Sequence, residues 1–187
     1  TTLFRSGVNM VWHEAFGRAY NPLTSEEEEN IISLKVNTQR MWQHINPILS
    51  DIQALPECIE TLTMTDDLQS GNHFMRTYKK ADQSEVMITV AEGATSYFKF
   101  LKIPLQGKEV NGDAEGTVYV SEAFRLQLDK DNVQDRVEIE GQSYRIIGTF
   151  KELYKETQGR GTIGSVFFPS NHFRYFYVKL APGTNAT

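Results

Sequence analysis

Apolar positions along the chain change period several times, and each change marks an element. Ile32, Leu34 and Val36 alternate with Ser33 and Lys35, the two-residue period of a half-buried strand. Asn37 or Thr38 then offers an N-cap oxygen. Met41, Trp42, Ile45, Ile48, Leu49, Ile52 and Leu55 follow at three- and four-residue spacing, the apolar stripe of a helix. Pro56 helps stop it, and Cys58 to Met64 is rich enough in Ile, Thr and Leu for a second strand. Strand, helix and strand in this order predict a right-handed crossover between parallel strands. Pro47 lies inside the stripe, where it removes a helical hydrogen bond at a cost of about 3 kcal/mol. The sequence therefore predicts a kink there, or a helix that begins near Asn46 with Pro47 in its first position.

From Asp66 to Ser170 the signals are β-rich. Phe74 to Lys80 and Glu85 to Ala91 read as strands joined by the turn Ala81-Asp82-Gln83-Ser84. A short helix covers Thr95 to Leu101, and Asn111-Gly112-Asp113 is a loop tip. Thr117 to Val120 is a strand, and Ser121 caps a helix running through Leu128. Arg136 to Glu140, the pair Gly141-Gln142, and Ser143 to Lys151 form a hairpin. Ser165 to Phe168 and Phe173 to Leu180 are the last strands. In the second of these, Phe176, Val178 and Leu180 share one face and Phe173, Tyr175 and Tyr177 the other. Tyrosine suits an interface, so this second face is a candidate partner surface, with packing inside the domain as its plainer use. Pro182-Gly183-Thr184-Asn185-Ala186-Thr187 reads as a loop entering a further helix.

The first 28 residues show no clear period and end in four consecutive glutamates, Glu26 to Glu29. The run fits the acidic first turn of a short helix capped by Thr24 or Ser25, or a solvated linker. Like-charge repulsion favours the linker. No run reaches the ~18–20 apolar residues of a membrane span, and Thr1-Thr2-Leu3-Phe4-Arg5 has neither an initiator Met nor a signal-peptide core. The sequence reads as a soluble piece of a longer protein.

Apolar residues at 40% and charged residues at 23% are globular values, which excludes a disordered chain. The formal charge is −5 and no basic run exceeds Lys79-Lys80, so no nucleic acid or anionic membrane surface is expected as a partner. The single cysteine, Cys58, has no partner for a disulfide and reads as a small apolar residue in a strand.

Candidate chemistry is sparse. Gly159-Arg160-Gly161-Thr162-Ile163-Gly164 matches G-x-G-x-x-G, but its third glycine leads into a strand ending at Pro169, and no acidic residue follows at the ribose-binding distance. It reads as a flexible loop. The histidines His13, His44, His73 and His172 lack metal-binding spacing. Asp129-Lys130-Asp131-Asn132 lacks the glycine and the closing glutamate of a calcium loop and reads as a helix-ending turn. No G-x-S-x-G elbow is present, Cys58 is flanked by Glu57 and Glu60, and Asn185-Ala186-Thr187 is a chance sequon. The residues point to no catalytic group, no metal and no cofactor.

The order of the segments carries more information than any of them alone. An aromatic helix, an "IPLQGK" turn (103–108), the strand "VYV" running into a Ser121-Glu122-Ala123 helix, and a hairpin ending in "IIGTF" (146–150) follow one another. Before them come "ENIISLKVNTQ" (29–39) and "ILSDIQALPECIETLTMT" (48–65), and after them "FRYFYVKLAPGTNAT" (173–187). This sequence of segments resembles the periplasmic core domain of MacB/FtsX-like ABC-transporter permeases over about Glu29 to Thr187. It departs from the family before the hairpin, where Gln134-Asp135-Arg136 keeps only the cation of a usual Gly-Lys or Gly-Arg pair, and in lacking the final helix and strand.

The resemblance implies an α+β fold: a split strand–helix–strand porter subdomain with a β-rich insertion called Sabre. On this chain the implied division is a linker at 1–28 after a membrane helix, a first porter half at 29–66, a Sabre-like part at 67–172 and the start of a second porter half at 173–187. It also implies a non-catalytic role at the periplasmic face of a bacterial inner membrane. There, motion driven by a cytoplasmic ABC ATPase would pass through a dimeric permease to a substrate, a periplasmic adaptor or a hydrolase. Phe173, Tyr175 and Tyr177 are the candidate partner-facing residues. Two other readings stand beside it: a binding module with a ligand or peptide in a cleft between the β-rich and α+β parts, and a hydrolase with dispersed His and Asp residues.

Overall fold

Strand β1 (Ile31–Lys35), helix α2 (Gln39–Gln53) and strand β2 (Cys58–Met64) form where the periodicity places them. The computed structural model describes residues 22–36, 39–68, 74–110, 114–151 and 162–184. The caps at Asn37 or Thr38, the side chains of Met41 and Trp42, His13, His73, the loop tip 111–113, Gly159, Gly161 and the sequon lie outside the described residues.

Both β1 and β2 pair antiparallel with β10 (Tyr175–Leu180), which lies between them. They are therefore parallel to each other, as the crossover requires, but are separated by the last strand of the chain rather than adjacent. Ile31 lies opposite Lys179, and Tyr177 lies opposite both Ser33 and Leu62. Ile31, Tyr177 and Leu62 share the face turned to the main core, leaving Ile32, Leu34 and Val36 on the opposite face. Helix α2 runs continuously through Pro47 and does not begin at Asn46. Ile45 on its stripe is buried, while Ile48 and Leu55 stay exposed. Gln53 Nε2 donates to Thr61 Oγ1 at 3.0 Å and ties its last turn to β2.

The glutamate run is a helix and not a solvated linker. Helix α1 (Ser25–Glu29) is capped by Thr24 Oγ1, which accepts from the Glu27 N–H, while the Glu27 carboxylate accepts from the Thr24 N–H. Lys102 Nζ lies 2.6 Å from Glu27 Oε1, which relieves part of the like-charge repulsion, and Leu23 enters the core just before the cap.

The remaining strands continue the same ten-stranded sheet as a curled part beyond β2. β3 (Phe74–Lys79) and β4 (Glu85–Gly93) form a hairpin, and β4 runs parallel to β9 (Thr162–Pro169). β9 pairs antiparallel with β6 (Thr117–Ser121), which runs parallel to β8 (Gln142–Phe150). β8 pairs with β7 (Arg136–Ile139) and with the short β5 (Leu105–Gly107), which forms a strand where the sequence predicts a turn. The β7–β8 turn is Glu140-Gly141, one residue earlier than expected, because both residues hold positive φ (51° and 78°) as a type I′ turn requires. Helix α4 (Glu122–Lys130) lays Phe124 and Leu128 into the core of this sheet with Tyr78, Ile88, Val118, Val120, Val137, Ile139 and Val166.

Gly164 lies inside β9, not at a helix start. At φ +149° a Cβ there would sit 2.6 Å from the Phe124 nitrogen and 2.8 Å from Ser121 Oγ. The glycine is needed for this close approach of strand to helix. Among the described residues no helix is long and apolar enough to cross a membrane.

Candidate functional site

The β1-β10-β2 part of the sheet and its curled part meet where the end of β2 pairs with the end of β4. Met64 and Gly93 form the register pair between the two strands. The Thr65 N–H donates to the Glu92 carbonyl and the Ala94 N–H to the Thr63 carbonyl, both at 2.9 Å. The chain returning from β9 adds two ties: the Ser170 N–H donates to the Gly93 carbonyl at 2.8 Å and the Arg174 N–H to the Met64 carbonyl at 2.9 Å. A Cβ on Gly93 would lie 2.5 Å from Met64 Sδ and 2.6 Å from the Thr63 carbonyl oxygen, so the joint closes this tightly only around glycine.

One core spans the joint. Ile31, Leu62, Met64 and Tyr177 from the three-stranded side pack with Tyr97, Phe98 and Phe100 of helix α3 (Ser96–Phe100) and with Tyr119, Phe150 and Phe167 of the curled part of the sheet. Tyr97 stacks on Phe167 with centroids 4.8 Å apart. Phe98 meets Tyr119 at 5.0 Å and Phe167 at 4.9 Å. Such ring pairs are worth about 0.5–1.5 kcal/mol each beyond the area they bury.

Polar groups fix the same boundary. Lys179 is 6% exposed; its ammonium donates to the Phe100 carbonyl at 2.6 Å, lies 3.3 Å from Glu60 Oε2 and sits 4.7 Å above the Phe100 ring. A buried cation on β10 is thus satisfied by the last carbonyl of α3 and by a β2 carboxylate. Glu60 also holds the exposed Lys99 at 3.1 Å. The Tyr177 hydroxyl donates to Asp67 Oδ1 at 3.0 Å and accepts from the Leu68 N–H at 2.9 Å. Burial, with the Asp67 charge, pushes its phenol far above the ordinary range.

Beside the joint, burial and then the Glu92 carboxylate raise the half-buried Asp66 carboxyl to about 6, against the Glu92 N–H, Arg174 and Arg76, which pull it down. A cavity of about 30 Å³ lined by Met64, Asp66, Thr89, Tyr97 and Ser165 has room for roughly one water. It is far too small for a metabolite.

The aromatic strand is placed differently from the sequence expectation. Tyr177 is wholly buried in the joint and cannot face a partner, because its face of β10 is the one that the main core covers. Tyr175 is half-buried, stacked on Tyr177 with centroids 6.5 Å apart and Lys35 Nζ 5.6 Å over its ring. Phe173 is half-buried before the strand. Cys58 lies half-buried in β2, where burial raises its thiol pKa and weakens it as a nucleophile. His44 and His172 are exposed on separate segments, and among the described residues no three His, Cys, Asp or Glu side chains group as metal ligands. Sequence reasoning missed Gly93, Lys179 and Asp66. Only Lys179 carried a signal, as a lone cation in an otherwise apolar strand.

The arrangement joins two parts of one sheet through a shared core and offers proton binding at Asp66. Comparison with known proteins gives the same architecture a context. The family described as MacB-like periplasmic core domain matches residues 15–187. Among solved structures, the periplasmic region of MacB from Actinobacillus actinomycetemcomitans aligns at a TM-score of 0.54 and 11% identity, covering 93% of this chain and 80% of that one. The extracellular domain of the noncanonic ABC-type transporter YknZ from Gram-positive bacteria aligns at 0.53 and 12% identity, covering 82% of this chain and 85% of that one. These likenesses establish the mixed α+β fold. A search of curated proteins returns no match.

Proposed function

Since the chain belongs to the MacB-like periplasmic core domain family, we propose that it works as a non-catalytic coupling element of its permease. As a member, it is a periplasmic or extracellular domain of an ABC-transporter permease, a family that works with an ATPase. The finer reading is ours: a dimeric permease of the MacB/FtsX type in a bacterial inner membrane, moved by a cytoplasmic ABC ATPase. The domain carries that movement to a substrate, a periplasmic adaptor or a cell-wall hydrolase.

The observation that supports transmission is the single core running across the Met64–Gly93 joint, with Lys179 bonded from β10 to α3. Such a body passes on a displacement applied at β1 and β10 instead of absorbing it. We divide it into a porter-like part, 29–66 with 173–187, and a Sabre-like insertion, 67–172, with 1–28 as the approach from the membrane. Phe173 and the exposed side of Tyr175, whose other side packs on the core, are the aromatic part of the partner-facing surface in this reading, without Tyr177.

The test uses the full permease with its ATPase in liposomes. A variant loosened at the joint, Gly93→Ala with Lys179→Met, should keep ATP hydrolysis while losing transport or partner activation. Loss of both in equal proportion, in protein that stays folded, would contradict a transmitting role.

A further inference from the structure

The curled part of the sheet has β3, β5 and β7 at its edges, and β3 and β7 lie close to each other. Tyr78 of β3 and Val137 and Ile139 of β7 share one core, yet no backbone ladder joins the strands among the described residues. The contact between them is a side-chain cap: the Thr77 N–H donates to Glu140 Oε1 at 3.3 Å. Beyond it the strands diverge around a groove of about 500 Å³, a size that takes a short ligand.

Both walls of this groove offer unused backbone. The Lys80 N–H bonds to the Ser84 carbonyl, so in the alternating antiparallel pattern the amide groups of Lys79 point away from β4, as the Thr77 N–H does. On the other wall the Ile146 N–H bonds to the Asp135 carbonyl, which by the same alternation turns the amide groups of Glu138 away from β8. Charge on the walls is net negative: Lys79 and Lys80 face Glu85, Glu138 and Glu140, and Lys80 is already paired with Asp82 at 3.4 Å, while the three glutamates are exposed and have no cation within ion-pair distance among the described residues. Asp131, at the floor, is saturated by the Tyr78 hydroxyl, the Ala81 N–H and the Gln127 amide.

We propose that this groove is a docking site for an extended, positively charged peptide segment, which adds a strand along the Lys79 edge and places basic side chains against Glu138 and Glu140. Unpaired strand edges are ready templates for such addition, with backbone bonds giving affinity and side chains giving selectivity. The carboxylates select a basic segment over an acidic one. The site lies wholly on the insertion and stands whether or not the domain transmits motion.

A fluorescent peptide of alternating Lys and Val, its Glu/Val counterpart, and a Lys/Val peptide N-methylated on one edge are titrated into the domain. Amide NMR shifts are followed at the same time. The Lys/Val peptide should bind with shifts centred on Thr77, Lys79 and Glu138, and N-methylation should abolish this. Glu138→Gln with Glu140→Gln should weaken it about three- to tenfold, with a smaller salt dependence. Absence of binding at millimolar peptide, equal binding of the Glu/Val peptide, or shifts centred outside the groove would overturn the proposal.

Discussion

Met64 and Gly93 form the register pair at which β2 meets β4, and the space between them admits no side chain on the glycine: a Cβ would stand 2.5 Å from Met64 Sδ. Only the thioether is soft. The Thr63 carbonyl oxygen, 2.6 Å from the same position, belongs to the backbone and moves only with the strand. Gly93→Ala should therefore destabilise the domain by about 1–3 kcal/mol, the usual cost of overpacking. Urea unfolding checks it, and a change under about 0.5 kcal/mol would show that the joint yields.

Lys179→Met keeps the apolar stem in place but removes the charge that satisfies the Phe100 carbonyl and Glu60. Glu60 retains Lys99, so the loss falls below that of a fully orphaned buried ion. We expect about 2–3 kcal/mol, read as a fall in Tm of roughly 5–10 °C for a domain of this length.

Ser121 satisfies two buried donors with one hydroxyl oxygen: the Phe124 N–H at 3.2 Å and the Ser165 N–H at 2.9 Å. One bond caps α4 and the other ties that cap to β9. Ser121→Ala should cost about 2 kcal/mol, more than an exposed cap, and hydrogen exchange should accelerate at both amides.

Asp66 links the joint to pH. Its folded pKa is raised to about 6 from an ordinary value of 3.8, so the folded state binds its proton more tightly than the unfolded chain. The stability this confers is complete below pH 4 and is lost as pH rises to about 6, an effect of order 1 kcal/mol once partial exposure is allowed for. Asp66→Asn should remove that step from the stability–pH curve and make the variant the more stable form at pH 7.

Legibility followed the range of the interactions. The period-two and period-three-to-four stretches gave β1, α2 and β2, and the Ser121 cap gave the start of α4, because local spacing dictates both. The placement of β10 between β1 and β2 was not local: it pairs residues more than a hundred positions apart, such as Tyr177 with Leu62. That pairing buries Tyr177, and alternation along β10 alone could not say which face the core would cover. The glutamate run was misjudged for a similar reason, since the cation that stabilises it, Lys102, is distant in sequence. The need for glycine at Gly93 depends on Met64, which only the fold brings near.

The central claim is that the domain moves as one body. Spin labels at Ile59 on β2 and Leu126 on α4, 54% and 65% exposed, in a Cys58→Ser background of the full permease, report the distance across the joint. Pulsed dipolar spectroscopy with the ATPase in its ATP-bound and nucleotide-free states should show that distance changing by less than about 2 Å, while the distance from Leu126 to labelled lipid headgroups shifts. A distance across the joint that follows the nucleotide state, with the domain fixed relative to the membrane, would contradict it.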